Sequence, residues 1–412
     1  MTSRAVYILG GAQTDFARHI TREDHGLFDL FADAVGEALE TCSLDASDVQ
    51  VGHVGNFVAE LFTGQGMLGG FFGHVDPGFS GMPASRHEGA CASGSLAAMA
   101  AMADIESGRY DLACVAGIEL MRNVPGRQAA DHLGAAAWRG EEAQDATFVW
   151  PAMFSQLAEE YDRRYGLRYE HLMEIAKINF DNAKRNRFAQ TRDWTFTEES
   201  FTASDEANPV IEGWMRRQDC AQVTDGCAAV FLASEDYARR YAKSRGISMN
   251  SLARIEGWGH TTSPMKLETK IRDSQGKDYV FPMVRKAITD AYGRAGIAGP
   301  QDLDAIETHD CFTITEYMAI EHFGITAPGE GWKAIEDGRI AKGGAIPVNP
   351  SGGLMGLGHP VGATGVRMLL DASRQVNGRA GDTQVEGAKR VATYNVGGSA
   401  TTNCAFVVGQ AA

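Results

Sequence analysis

The sequence predicts an α/β protein built from two similar halves. Short apolar runs of buried-strand type alternate with segments of helical periodicity, the pattern of a sheet covered by helices. The order strand, helix, turn, strand returns after roughly 250 to 270 residues, as an internal duplication would show. With 412 residues, 48 glycines and 44% hydrophobic content, the chain has the length and apolar surface for two bodies of ordinary size.

Residues 4–9 (RAVYIL) read as a first strand ending at Gly10 and Gly11. A helix follows over 27–43, with Phe31, Ala34, Val35, Ala38 and Leu39 on one face. A turn from Asp45 to Asp48 leads to a strand near 50–57. The stretch 87–104, HEGACASGSLAAMAAMAD, opens with small residues and then runs Ala, Leu and Met at helical spacing, so Cys91 stands where a helix begins. DLACVAG at 111–117 is a buried strand.

From 119 to 216 the texture changes to aromatics, Met and charges, with amphipathic helices over 152–165 and 168–186. This segment reads as an insertion covering a site. QDCAQVTDGCAAVFLA (218–233) returns to the core as a turn and a buried strand. The second half repeats the order: a helix over 281–296, a strand at 303–310, a Gly-rich elbow entering a helix at 356–371, and a strand at 389–398. Ala38 and Leu44 are spaced as Ala291 and Ile297 are. The expected division is 1–118 plus 217–262 for the first half, 119–216 for the insertion and 263–412 for the second half.

A formal charge of -15 argues against a broad nucleic-acid or anionic-membrane surface. Seven cysteines, odd in number and without a C-x-x-C pair, suit a reducing compartment. The N-terminus lacks a signal-peptide apolar core, no apolar run approaches the roughly 18 residues of a membrane span, and the chain carries no peroxisomal S-K-L ending. The expectation is a soluble, cytoplasmic protein.

Cys91 at a helix start is a candidate nucleophile, because free N–H groups and the positive end of the helix dipole favour a thiolate there. His309 and Cys311 stand on alternate residues at a strand end, so their side chains lean the same way. His359 precedes a proline on a glycine-flanked turn, a rigid mount for an imidazole. Gly397, at the strand end NVGG, could donate a backbone N–H to an oxyanion. Taken singly, each has an ordinary reading as a packed or hydrogen-bonded structural residue. Two facing halves would bring Cys91 opposite the turn carrying His359. His309, Cys311 and His359 lack the usual ligand spacing of a metal site, and none is expected. Lys184, Arg185, Arg187 and Arg192 form a basic run that is either a solvated helix end or an anchor for ligand phosphates.

Together these pieces resemble the thiolase superfamily over essentially the whole chain. The matching motifs are GGAQTDF at 10–16, CASGS at 91–95, AGIELM at 116–121, TDGCAAV at 224–230, HDCF at 309–312, GGLMGLGHPVGATG at 352–365, and NVGG at 395–398. HDCF makes the chain similar to the sterol-carrier-protein-2 branch, with no sterol-carrier domain expected after the last strand. The resemblance implies duplicated α/β halves in a five-layered αβαβα core with an inserted loop domain. It also implies acyl-CoA C-acyltransfer, as in fatty-acid β-oxidation: thiolytic cleavage of a 3-oxoacyl-CoA, or the reverse Claisen condensation, through a Cys91 thioester. Coenzyme A is then a co-substrate, and no permanently bound cofactor is implied.

In ordinary thiolases the acid/base cysteine lies near the C-terminus, where Asn395 stands here; in the branch this chain resembles, the HDCF cysteine, Cys311, supplies that function. His359 takes the proton of Cys91, His309 and His359 receive the enolate, and the N–H groups of Cys91 and Gly397 receive the tetrahedral oxyanion. Met153 and Phe154 match wall positions of the pantetheine tunnel, and Ala221 matches a backbone contact. A homodimer is implied, possibly a tetramer, with an OB-fold protein as a possible partner. The competing readings are a decarboxylating ketosynthase, which would not need Cys311; a carbon–carbon lyase, which would lose the nucleophile; and a non-catalytic acyl-CoA-binding or scaffold subunit.

Overall fold

The computed structural model describes residues 4–411. In chain order its main strands are β1 (Val6–Gln13), β2 (Val51–Gly55), β3 (Ala84–His87), β4 (Leu112–Glu119), β5 (Gly226–Ser234), β6 (Ala253–Thr262), β7 (Ala305–Thr308), β8 (Arg390–Gly397) and β9 (Thr402–Gln410). They form one sheet in the order β3-β2-β4-β5-β1-β6-β9-β8-β7. Read outward from the β1–β6 junction, the two sides repeat each other: β1, β5, β4, β2 on one and β6, β9, β8, β7 on the other. Val348, bridged in parallel to Ile306, takes the place of β3 in the second half.

β6 runs along the whole of β9, from Ala253 opposite Gln410 to Thr262 opposite Thr402, but meets β1 only at Val6, Tyr7 and Ile8. The expected division after residue 262 assigned this strand to the first half; its hydrogen bonds place it mainly in the second.

Helices build the layers. α1 (Leu27–Cys42) buries Phe31, Ala34, Val35 and Ala38 on the outer face of the first half. Its periodic apolar stripe is the reason it lies there. α2 (Ser93–Glu106) instead has small residues around most of its surface, because it is buried between the half-sheets beside the later helix Thr364–Val376. Ala97, Ala98, Ala101 and Met102 meet Val366, Leu369 and Leu370 there, with Val115, Val230 and Phe406 of the strands above and below. The segment 119–216 supplies α3 (Val149–Tyr165) and α4 (Tyr169–Ala183), which share an outer core with Tyr317, Ile320 and Phe323. α5 (Leu267–Asp273), α6 (Pro282–Ala295), α7 (Thr313–Phe323) and α8 (Thr364–Val376) complete the second half. The order across the molecule is helix, sheet, helix, sheet, helix.

The central helices approach closely where glycine allows it. A Cβ on Gly365 would collide with Ser95, and one on Gly94 would stand 2.7 Å from the Gly362 carbonyl oxygen. This contact brings the turn before α2 against the turn before α8. Among the described residues no helix is long and apolar enough to cross a membrane.

Candidate active site

The two central turns open on a cavity of about 420 Å³. Cys91, His309, Cys311 and His359 line it together with Phe57, Phe154 and other apolar side chains. Cys91 belongs to the short turn Ala90–Ala92 that enters α2. Ala90 is left-handed (φ 52°), a conformation that an alanine keeps only when its surroundings hold it. Its N–H donates to Glu88 Oε1 at 2.6 Å and its carbonyl accepts from Ser93 Oγ at 2.6 Å.

The hydrogen bonds of the two histidines select their tautomers. Thr364 Oγ1 donates to the Pro360 carbonyl at 3.1 Å, so it accepts from His359 Nδ1–H at 2.8 Å. His359 Nε2 is therefore left with a lone pair, buried and without a hydrogen-bond partner. His309 is the converse. Its Nδ1 accepts from Asn395 Nδ2 at 3.1 Å and from the Val396 N–H at 3.4 Å, so its proton is on Nε2. Ser95 Oγ donates to Asn395 Oδ1 at 2.8 Å, fixing which end of that amide faces the imidazole. Asn395 Nδ2 also donates to the Cys91 carbonyl at 3.0 Å.

The rings cross edge to face with centroids 5.0 Å apart, and one atom each of Cys91, His309 and His359 lie within 4.8 Å of one another. One sulfur and two imidazole nitrogens at that spacing could also hold a zinc ion.

Burial governs the charges. It drives His359 down to about 3, with Arg367 adding to the effect. It drives His309 well below the ordinary imidazole value, aided by His359 and Arg367. Burial pushes the Cys91 thiol up to about 12, and Glu119 pushes the same way; the N–H groups of Gly398 and of Cys91 itself pull against it. The resting site is thus a thiol between two neutral rings, not the thiolate expected from the helix start. Desolvation outweighs the helix dipole. Burial also raises Cys311, with Cys91 and Asp310 as further causes.

Comparison with known proteins decides the family. Residues 6–236 match the family model described as thiolase, N-terminal domain, and residues 267–410 match the one described as thiolase C-terminal domain-like. The chain belongs to the thiolase family. An acetyl-CoA acetyltransferase of Methanothermobacter thermautotrophicus is 32% identical over 399 residues, covering 97% of this chain and 98% of that protein. Human sterol carrier protein 2 is 28% identical over 407 residues, covering 96% of this chain and 70% of that protein. Among solved structures, the Ltp2-ChsH2(DUF35) aldolase has a TM-score of 0.77 at 21% identity, covering 98% of each chain. Human mitochondrial 3-ketoacyl-CoA thiolase has a TM-score of 0.70 at 17% identity, covering 99% of each. These two likenesses concern the fold.

Within this thiolase the expected wall residues separate. Phe154 lines the cavity, stacked on Phe312 with centroids 4.4 Å apart. Met153 does not line it and is packed in the outer core of the second half. Ala221 lines the cavity, but its N–H is taken by the Cys311 carbonyl at 2.9 Å. Gly398 lines the cavity and Gly397 does not; Gly397 is packed so tightly that a Cβ would collide with the Gly89 carbonyl.

The basic run lies elsewhere. Arg192 pairs with Asp15 at 2.6 Å, Lys184 with Asp181 at 2.9 Å, Arg185 bonds Asn182 and Arg187 lies over Phe188. None of the four lines the cavity, where Arg217 is the cation.

Sequence reasoning missed several residues that hold the site. Asp310 accepts from the N–H groups of Leu354 and Met355 at 2.6 and 3.2 Å, pinning the segment that leads to His359. Glu119 accepts from Phe57 N–H at 2.9 Å, Val58 N–H at 3.1 Å and Gly362 N–H at 3.1 Å, tying the loop after β2 to the turn after His359. Thr364, which sets the His359 tautomer, lay in plain view five residues beyond the histidine.

Proposed function

We propose that the chain is an acyl-CoA C-acyltransferase that cleaves a 3-oxoacyl-CoA with coenzyme A, or runs the reverse Claisen condensation. The observation that carries this reading is the pair of buried imidazoles beside Cys91: His359 Nε2 has no hydrogen-bond partner, and His309 Nδ1 accepts from the Val396 N–H, which assigns its proton to Nε2. A base and a hydrogen-bond donor are what thioester chemistry on a neutral thiol requires.

Cys91 passes its proton to His359 Nε2 as its sulfur attacks the 3-keto carbon. The N–H groups of Cys91 and Gly398 receive the oxyanion. The bond between C2 and C3 breaks, its electron pair becomes the acetyl-CoA enolate, and His309 and protonated His359 hold the enolate oxygen while Cys311 protonates C2. Coenzyme A then gives its thiol proton to the Cys311 thiolate and attacks the thioester. Cys91 leaves as thiolate and recovers its proton from His359.

Coenzyme A is a co-substrate in this scheme, and no resident cofactor or metal takes part. The first half is read as 1–118 with 217–252, the insertion as 119–216, and the second half from 253. A homodimer, possibly a tetramer, working in the cytoplasm suits the family. The fold shared with the Ltp2-ChsH2(DUF35) aldolase makes a DUF35 protein a candidate partner.

The test is thiolysis of acetoacetyl-CoA and of a longer 3-oxoacyl-CoA, followed at the enolate absorbance. Wild type is expected to turn over, and Cys91→Ala and Cys311→Ala to lose about a hundredfold or more. Unchanged activity in Cys311→Ala would remove Cys311 as the acid/base. A wild type that binds CoA esters but neither turns over nor gains an acetyl adduct from acetyl-CoA by mass spectrometry would make the chain a binding or partner-dependent subunit.

A further inference from the structure

Lys270 takes no part in the scheme above, yet it stands behind the turn that carries Gly398. It lies on α5 and is 6% exposed. Its Nζ donates to the Ser399 carbonyl at 2.7 Å, Ser399 Oγ at 2.6 Å, Thr401 Oγ1 at 3.0 Å and the Met265 carbonyl at 2.9 Å. All four acceptors are uncharged. Burial lowers Lys270 to about 7, and holding this amine among neutral oxygens is less favourable than burying an apolar side chain of the same length, so packing alone does not account for it.

The gripped turn is one that does not hold itself. Gly398 and Ala400 are both left-handed, at φ 62° and 63°, and Ser399 lies between them. An alanine keeps that conformation only where its surroundings over-determine it. Three of the four Lys270 contacts fall on Ser399 and Thr401, on either side of Ala400. The fourth ties the turn to the start of α5, whose Leu267 N–H is in turn accepted by Glu142 of the insertion at 2.7 Å. Gly398 lines the cavity together with Cys91, so the orientation of this turn sets what the Gly398 backbone presents there.

We propose that Lys270 is a positioning residue for acyl transfer: its amino group clamps Ser399 and Thr401 so that the Gly398 N–H faces the oxyanion formed on the carbon bound to Cys91. This rests on reading Cys91 as the nucleophile.

The experiment compares thiolysis by wild type, Lys270→Met, Lys270→Ala and Cys91→Ala. Lys270→Met keeps the length of the chain and removes its donors. It is expected to lose up to about a hundredfold to a thousandfold in kcat, the scale of one lost oxyanion donor. Its KM for coenzyme A and its far-UV circular dichroism stay at wild-type values. Lys270→Ala is expected to recover part of its kcat when methylammonium or ethylammonium is added, since a small cation can refill the vacated space. Wild-type kcat in Lys270→Met overturns the proposal. So does a loss of activity that is matched by a raised KM and is not rescued by amines, which would mark a general structural role. Turnover in Cys91→Ala would overturn the nucleophile reading instead, and leaves the two failures distinguishable.

Discussion

At Cys91 two effects oppose each other, and their sizes decide the outcome. A helix start favours a charged thiolate by about 0.3 to 1 kcal/mol. Raising the thiol from 9.0 to about 12 corresponds to roughly 4 kcal/mol in the other direction, at about 1.4 kcal/mol per pK unit. The sign follows: a thiol whose pKa is raised holds its proton through neutral pH, and a His359 lowered to about 3 stays neutral there. Alkylation of Cys91 by iodoacetamide in the free enzyme should therefore rise about tenfold per pH unit from pH 6 to 9. The measurement is the rate of modified Cys91 by peptide mass spectrometry; a plateau below pH 8 would mean a stable thiolate. Proton transfer to His359 then belongs to the step in which substrate is attacked.

At the scale of elements, the site depends on how closely α2 and α8 approach. The turn entering α2 carries Cys91, and the first turn of α8 carries Thr364, whose hydrogen bond orients His359. Gly94 and Gly365 make that approach possible, and the space at Gly365 is occupied on the far side by Ser95 and Asn395. Ser95 is the residue that orients the Asn395 amide, so overpacking here acts on stability and chemistry together. Gly365→Ala should cost about 1 to 3 kcal/mol or more, lowering Tm by several degrees in a scanning measurement. A kcat loss larger than the fraction unfolded should accompany it. An unchanged Tm would mean that the two helices can slide apart.

Across the whole molecule, the halves are joined by a short β1–β6 pairing and by the central helix layer, and α8 brings a charge into that layer. Arg367 is 0% exposed; it pairs with Glu307 at 2.9 Å and with Asp371 at 3.2 Å. Glu307 also accepts from Ser351 Oγ at 2.6 Å, which links the ion pair to the segment leading to His359. Arg367→Met leaves Glu307 buried without its cation, and breaking a buried pair from one side costs about 3 to 5 kcal/mol. The expected result is a urea midpoint shifted down by the equivalent amount at pH 7, and a midpoint at the wild-type value would show that the network relaxes. Glu307→Gln together with Arg367→Met should recover part of the loss, since the uncompensated charge is removed.

The sequence by itself determined the duplicated α/β plan, the family, and four side chains, Cys91, His309, Cys311 and His359, that line one cavity. Those rest on local signals: apolar period, glycine at turns, and motifs in which neighbours in sequence are neighbours in space. It also placed the helices of the insertion to within a few residues, because α3 and α4 carry amphipathic stripes. What only the tertiary structure decided depends on partners distant in sequence. The protonation of Cys91 follows from how much water the two halves exclude, and motif spacing carries no information about desolvation. The tautomer of His309 is set by Asn395, some 86 positions away. That Gly398 and not Gly397 lines the cavity goes with a left-handed turn whose Ser399 and Thr401 are held by Lys270 from another helix. The side to which β6 belongs, the outward packing of Met153 and the internal pairing of the basic run were likewise settled by contacts between segments far apart in the chain.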